Sequence, residues 1–200
     1  MENKSRSNEV ATAHGKDRDL SHRNGLAALV EMMPPHPTGG SEVDWGEVES
    51  AWQLRFPPDY KKFLKRYGGL TIESYLQVIV PTTITPETCD EPGAPLGGMG
   101  FITADTRAIW NETEPTGIDG QADELVTWAA ASSADLFCWL THGQPEEWPV
   151  IVFSHGDDTW TRFDLNMTEF LFRVLQAEPD VELMADSPLW NRQRPSYVSP

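Results

Sequence analysis

The apolar positions are most regular in two short runs with a helical period, one on each side of a proline pair. In the first run Trp45, Val48 and Trp52 recur at i, i+3 and i+7, which predicts a helix with one apolar face. Asp44 precedes this run in the N-cap position, and Glu47 follows three residues later, as in a capping box. The first run therefore predicts a capped amphipathic helix.

The proline pair predicts where this helix ends and where the next one begins. Pro57 restricts the conformation of the residue before it, so the first helix should end near Phe56, whereas Pro58 suits the first turn of a second helix. Gly68 can adopt the left-handed conformation that ends a helix. The second helix has an apolar stripe and an opposite basic face, which consist of Tyr60, Phe63, Leu64 and Tyr67 and of Lys61, Lys62, Lys65 and Arg66. We interpret the stripe as packed and the basic face as solvated.

Hydrophobic periodicity elsewhere predicts two more helices and a series of strands. One helix is expected over 25–33, and another from the N-cap Asn166 to about Ala177. The predicted strands are 71–80, which could instead be two short strands, 125–131, 136–141, 149–153 and 159–163. Turn-forming residues separate the last four strands, so these should form an antiparallel meander. We therefore predict an α+β domain whose helices pack on one face of a sheet.

The segment 81–124 lacks such periodicity. It is rich in Pro, Gly, Thr and acidic residues, which is typical of surface loops. Within it, a short strand is expected over 100–104 and a helical turn over 107–110. The glycine-rich stretch 97–100 lacks the Lys-Ser/Thr pair and the basic surroundings of a phosphate-binding loop, so we interpret it as a plain loop.

The length of 200 residues fits one domain with tails. We expect a disordered N-terminal tail at 1–24, the domain at 25–178, and a C-terminal tail at 179–200 that could contain one edge strand. No segment approaches the about 20 consecutive apolar residues that span a bilayer, and the first 24 residues contain no apolar signal-peptide core. These features predict a cytoplasmic protein that is not inserted in a membrane, and we expect a monomer.

Charge is distributed unevenly along the chain. The net charge is −16, and residues 84–158 hold fourteen acidic residues and a single basic one, Arg107. Such a segment repels nucleic acid and anionic membranes, and it accelerates association with a basic protein. Charge alone favours the simpler interpretation that the acidic residues keep the domain soluble.

The residue types used in metal binding occur without the necessary spacing. The five histidines are scattered, and Cys89 and Cys138 are far apart in the sequence, so neither a zinc site nor a disulfide framework is indicated. We expect no metal, no cofactor and unreactive thiols.

Residue types that often act in catalysis, such as Ser, His, Asp and Glu, also occur, but they lie in predicted turns. Residues 154–158, Ser-His-Gly-Asp-Asp, include the members of a hydrolytic triad, yet a triad is assembled across a fold, and this stretch is typical of a β-turn. The carboxylate pairs Glu146-Glu147 and Asp157-Asp158 lie in predicted turns as well. We therefore expect no enzymatic activity, and a hydrolase that uses Ser154 and His155 is the least favoured hypothesis.

The order of several motifs resembles that of the SUKH superfamily, which includes the yeast Smi/Knr cell-wall assembly regulator and many bacterial proteins. The most specific motif is Phe56-Pro57-x-Asp59-Tyr60-x2-Phe63-Leu64-x2-Tyr67-Gly68-Gly69. The other matching motifs are Trp45-x3-Glu49, Leu125-Val126-x-Trp128, Cys138-Trp139-Leu140, Trp148-Pro149-Val150 and Glu169-Phe170-Leu171. The resemblance covers about residues 25–178. The long segment 81–124 and the N-terminal tail depart from the superfamily pattern.

The resemblance implies a non-enzymatic α+β binding domain. Bacterial members are typically immunity proteins that bind and neutralise a polymorphic toxin, frequently a nuclease or a deaminase, whereas the eukaryotic members are regulators and scaffolds. The leading hypothesis is therefore an immunity protein that blocks a basic toxin domain by stoichiometric binding. The alternative is an intracellular regulatory scaffold.

Under the leading hypothesis, the partner-binding residues lie in the acidic loops and turns between residues 84 and 158. The candidates are Asp105, Glu112, Glu114, Asp119, Asp123, Glu124, Asp135, Glu146, Glu147, Trp148, Asp157, Asp158 and Trp160. Trp148 and Trp160, like Trp110, lie near strand or loop ends, where a half-exposed aromatic residue can anchor a partner. For all three, packing in the core is the favoured interpretation, and Trp128 and Trp139 are expected in the core.

Overall fold

The computed structural model describes residues 25–83 and 96–199. The predicted N-terminal tail, 1–24, and Cys89 lie outside these ranges. Within them, none of the helices combines the length and the apolar character that crossing a bilayer requires.

The chain forms an antiparallel sheet surrounded by helices, so the predicted α+β class is confirmed. The helices are α1 (Gly25–Met32), α2 (Trp45–Trp52), α3 (Pro58–Tyr67), α4 (Gly97–Thr113) and α5 (Met167–Gln176). The strands are β1 (Leu70–Ile72), β2 (Leu76–Val78), β3 (Leu125–Ala131), β4 (Leu136–Leu140), β5 (Val150–Ser154), β6 (Thr159–Phe163) and β7 (Tyr197–Val198). Short 3-10 helices are Ala122–Glu124, Pro145–Glu147 and Pro179–Met184. The sheet order is β6-β5-β4-β3-β2-β1-β7.

The predicted starts of α2 and α5 agree with the structure, whereas the predicted end of α2 near Phe56 does not. The Asp44 side chain accepts a hydrogen bond of 3.1 Å from the Glu47 N–H, and Asn166 accepts one of 2.9 Å from the Glu169 N–H. Helix α2 ends four residues before Phe56, because Gln53 adopts the left-handed conformation at φ 53°.

The segment 71–80 forms two short strands, β1 and β2, which was one of the two predicted arrangements.

One face of the sheet is covered by α1, α2, α3 and α5. The apolar stripe of α3 is fully buried there, as predicted, and Tyr60 packs edge-on against Trp139 with ring centroids 4.9 Å apart. Trp128 and Trp139 are completely buried in the same core. Burial of these aromatic rings contributes to stability on this face.

The opposite face of the sheet is covered by α4, in a segment that was predicted to be loops. The predicted strand over 100–104 and the loop interpretation of 97–100 are both wrong, since these residues form the first two turns of α4. The buried side of this part of α4 is marked by Thr103, Thr106 and Trp110 at i, i+3 and i+7. Because two of these three residues are threonines, the stripe has no hydrophobic period to detect.

The C-terminal residues 179–199 pack against the domain. Val181 and Leu189 are completely buried in the same core as the helices, and β7 pairs antiparallel with β1 at the edge of the sheet. The Tyr197 hydroxyl donates a hydrogen bond of 2.8 Å to the Pro34 carbonyl. A boundary at residue 178, where the sequence suggests that a tail begins, would thus divide a continuous core.

Candidate functional site

Helix α4 is attached to the sheet by a group of buried threonines. The pairing of β3 with β4 is interrupted between Thr127 and Ala129, and at this bulge the Thr127 N–H donates a hydrogen bond of 3.0 Å to Thr103 Oγ1 on α4. The hydroxyls of Thr106 and Thr127 lie 2.7 Å apart. Since these polar groups satisfy one another in the interior, α4 has a defined position on the sheet.

Arg107, the sole basic residue of the acidic segment, is half-buried. Its Nε donates a hydrogen bond of 3.0 Å to the Leu125 carbonyl. Burial lowers the pKa of its guanidinium, and the nearby charge of Asp123 counteracts this. Arg107 therefore contributes to docking α4, and its charge lies near that of Asp123.

The exposed charged residues of α4 and of the segment that follows it are all acidic. We call residues 97–124 the acidic layer. Its carboxylates Asp105, Glu112, Glu114, Asp119 and Asp123 are all exposed, and none of them forms an ion pair with another residue in the described part of the chain. Because these exposed carboxylates outnumber the single arginine of the layer, they create a negative field around it.

Glu124, the last acidic residue of this layer, is half-exposed. It accepts a hydrogen bond of 2.8 Å from the Gln121 N–H, and its second oxygen lies 3.5 Å from His142 Nδ1. It thereby caps a short 3-10 helix, and part of its charge is used within the chain.

Asp135 has a different role, although it lies in the predicted site. Its Oδ2 accepts hydrogen bonds from the Tyr75 hydroxyl, at 2.6 Å, and from Ser133, at 2.5 Å, and its Oδ1 accepts one of 2.9 Å from the His155 N–H. These donors lie in or beside the β1–β2, β3–β4 and β5–β6 turns, which share one end of the sheet. The carboxylate therefore joins three turns, and we assign it a structural role.

Asp157 and Asp158 are exposed at the same end of the sheet. Asp157 lines a cavity of about 660 Å³, whose other wall is formed by the C-terminal residues Leu183 and Asp186. The Leu183 side chain is 79% exposed. The sequence analysis missed these two wall residues because no periodicity in 180–200 indicates that the segment folds back onto the sheet.

The two candidate tryptophans are packed to different extents. Trp148 is only 5% exposed, and its ring lies 6.3 Å from that of Trp139, so it offers little surface to a partner. Trp160 is half-buried, stacks edge-on against Trp110 at 4.8 Å, and donates a hydrogen bond of 2.8 Å from Nε1 to Thr113 Oγ1. Trp160 therefore holds the C-terminal end of α4 on the sheet.

The predicted site residues thus fall into three groups on the folded chain. Six of them belong to the acidic layer. Asp135, Asp157 and Asp158 lie at the turn end, and Trp160 lies beside that end under α4. Glu146 and Glu147 are exposed at the opposite end, beside the buried Trp148. The acidic layer contains the largest of these groups, and five of its six carboxylates are exposed.

In the part of the chain that the structure describes, the three residue types of a hydrolytic triad in 154–158 are not joined by hydrogen bonds. The side chains of Ser154, His155 and Asp157 form no hydrogen bond with one another within the described ranges, and the His155 contact to Asp135 uses its backbone N–H. Among residues 25–83 and 96–199, no group of three or more metal-ligating side chains comes together.

A family model described as the SMI1 / KNR4 family (SUKH-1) matches residues 39–173. The chain belongs to this family. The matched region includes α2, α3, all of the acidic layer and the strands from β1 to β6, and it ends within α5. The superfamily membership inferred from the Phe56–Gly69 motif is therefore confirmed. No curated protein and no solved structure that was compared with this SUKH-1 chain matches it significantly.

Proposed function

We propose that this SUKH-1 chain is an immunity-type protein, a non-enzymatic binder that neutralises a basic toxin domain by stoichiometric binding. The observation that supports this proposal is the acidic layer. Five exposed carboxylates lie on one docked helix and the segment after it, while the single basic side chain of the layer, Arg107, is half-buried and hydrogen-bonded to the Leu125 carbonyl.

The acidic layer is suited to fast and selective association. Surface charge of one sign steers an oppositely charged partner and raises the association rate, and this effect weakens as salt screens the charges beyond about 10 Å. Because the buried threonines and Trp160 hold α4 in place, its carboxylates are preorganised, and little ordering entropy is lost on binding.

A toxin that acts on nucleic acid fits this chemistry best. Such an enzyme needs a basic surface for its phosphate-rich substrate. Carboxylates of the acidic layer would occupy the positions of the phosphates and block the substrate without any turnover. The exposed acidic residues at the two ends of the sheet, Asp157, Asp158, Glu146 and Glu147, would extend the contact around the same partner.

The proposal is tested by rescue of cells that express a candidate toxin from a neighbouring gene, chosen for a basic C-terminal domain. The variant Asp105→Asn/Glu112→Gln/Asp119→Asn should bind the toxin domain at least about tenfold more slowly at low salt and should rescue poorly. The matched control, Glu31→Gln/Glu178→Gln/Glu182→Gln, removes three exposed charges outside the acidic layer and should behave as the wild type.

Association rates measured by stopped-flow fluorescence over a range of salt concentrations separate the electrostatic contribution to the rate from the contribution that does not depend on salt. If both triple variants bind at the same rate, or if the wild-type rate is indifferent to salt, the acidic layer is not the toxin-binding surface. If the wild-type chain rescues no neighbouring toxin but purifies with the same host proteins each time, the regulatory scaffold is favoured.

A further inference from the structure

A groove on the other side of the molecule has the opposite character to the acidic layer. It lies between the start of α2 and the exposed side of α3, and it encloses about 430 Å³. Its walls are formed by Val43 and Trp45 on one side and by Lys61, Lys62 and Lys65 on the other. We call it the lysine groove.

The wall that contains Val43 is held against α3 by a hydrogen bond between backbone groups. The Ser41 N–H donates a hydrogen bond of 2.9 Å to the Leu64 carbonyl, so residues 39–43 run directly beside the helix. Gly40 permits this approach, since its φ is 101° and a Cβ at this position would overlap the Lys65 carbonyl oxygen. The groove is therefore a preformed feature of the fold.

Trp45 gives the groove a rigid aromatic surface. Its indole packs against Phe56 and Tyr60, with ring centroids 5.6 and 6.1 Å away, and the ring is half-exposed. Lys61 Nζ lies 5.0 Å from the indole centroid and is paired with Glu49. An aromatic surface that is fixed on one side and open on the other is typical of the anchor position in a protein interface.

The lysines make the groove electropositive on a strongly acidic chain. Lys62 and Lys65 are exposed and form no ion pair with any other residue that the structure describes. Glu42, at one edge, is the carboxylate that lines the groove. The long stems of the lysines add apolar surface beneath their charged ends.

We propose that the lysine groove binds an acidic peptide segment of a partner protein that carries one large apolar side chain. The apolar side chain lies on Trp45 and Val43, and carboxylates on either side of it pair with Lys62 and Lys65. Charge complementarity selects this occupant. The N-terminal residues 1–24 of the chain itself, with four acidic and five basic residues, are not complementary to the groove.

The lysine groove is separate from the acidic layer. The two lie on opposite faces of the sheet, since α3 packs on one face and α4 on the other. A chain with both surfaces would bind a basic partner and an acidic partner at the same time.

The experiment uses a fluorescein-labelled peptide of glutamates and aspartates around one central leucine, titrated with the full-length chain at low salt and followed by fluorescence anisotropy. We expect saturable binding that weakens with added salt. A peptide with serine in place of leucine should bind at least about fivefold more weakly, because the apolar contact with Trp45 is lost.

Variants of the chain then locate the binding site. Lys62→Glu/Lys65→Glu and Trp45→Ala should each weaken binding at least about tenfold. Arg66→Glu is the matched control, since Arg66 is exposed on the same helix but does not line the groove, and it should change the affinity by less than about twofold. Circular dichroism verifies that each variant is folded.

Three results would overturn the proposal. The leucine peptide could bind no better than the serine peptide, or Arg66→Glu could weaken binding as much as Lys62→Glu/Lys65→Glu. In the third case, sedimentation would show a concentration-dependent dimer that the double lysine variant abolishes, so that the occupant is a second copy of this chain. The toxin rescue does not depend on these residues, so failure here leaves the proposed function unaffected.

Discussion

The Tyr75 hydroxyl donates a hydrogen bond of 2.6 Å to Asp135 Oδ2, and this contact joins the β1–β2 turn to the β3–β4 turn. The same carboxylate also accepts hydrogen bonds from Ser133 and from the His155 N–H, in the β5–β6 turn. One acidic residue in a turn, which the sequence places among the partner-binding candidates, is thus the centre of a network that holds one end of the sheet together.

Replacement of Asp135 by Asn should destabilise the protein. The amide retains one acceptor oxygen but presents a donor to Tyr75 or to the His155 N–H, so the free energy of unfolding should fall by about 1–3 kcal/mol. Urea unfolding at neutral pH measures the change. The control is Asp158→Asn, an exposed residue of the neighbouring turn, for which we expect no measurable effect. Equal stability of the two variants would contradict the structural role of Asp135.

Tyr75 should make the stability depend on pH in the alkaline range. Burial, followed by the hydrogen bond to Asp135, raises the pKa of Tyr75 from 10.0 to about 12. Between pH 10 and 12 the folded state retains the Tyr75 proton, whereas the unfolded state loses it. The contribution of Tyr75 to the free energy of unfolding is therefore complete below pH 10 and falls by about 1.4 kcal/mol per pH unit up to about pH 12.

The variant Tyr75→Phe isolates this contribution, because other buried tyrosines titrate in both proteins. At pH 9 the wild type should be the more stable of the two, and this difference should shrink as the pH approaches 12. Denaturant unfolding at a series of pH values gives both free energies. A difference that stays constant between pH 9 and 12 would show that the pKa of Tyr75 is not raised.

Replacement of Thr103 by Val should weaken the docking of α4. Valine has the same shape but no acceptor, so the Thr127 N–H at the bulge is left buried without a partner, and the free energy of unfolding should fall by about 1–3 kcal/mol. Thr116→Val, at an exposed position after α4, serves as the control and should have little effect. Hydrogen exchange should also become faster in α4 than in α3 of the Thr103 variant. Equal protection of the two helices would contradict this local role of Thr103.

Cys138 should be inert towards thiol reagents in the folded protein. Burial raises the pKa of its thiol to about 12, so at neutral pH almost no thiolate is present. In a Cys89→Ser background, which leaves one thiol, a disulfide reagent should react only as fast as the protein unfolds. Added urea should then accelerate labelling in step with the loss of structure. Rapid labelling without urea would contradict the buried position.

The elements that could be predicted are those in which local signals agree. Helices α2 and α3 have an apolar stripe, a capping residue and a proline break, and β3 to β6 are apolar runs separated by turn sequences. The same agreement made the family resemblance readable in the segment from Phe56 to Gly69. Local chemistry therefore determined the α+β class and the antiparallel meander.

The position of α4 depends on contacts that are remote in sequence. Its buried stripe of Thr103, Thr106 and Trp110 is recognisable only beside Thr127 and Trp160, which lie on the sheet. Without those partners, the glycines and threonines of this segment are typical of a loop or a short strand. The second covered face of the sheet was accordingly not predictable.

The sequence by itself determined the amount of acidic charge, its concentration in the middle of the chain, and the basic face of α3. Only the tertiary structure decided which charged side chains are exposed and which are used in contacts within the chain. It half-buries Arg107 against the Leu125 carbonyl, uses Asp135 to join three turns, and leaves Asp105, Glu112 and Asp119 exposed. The physical reason is that electrostatic interactions depend on distances in space and on exposure to solvent, and the fold determines both.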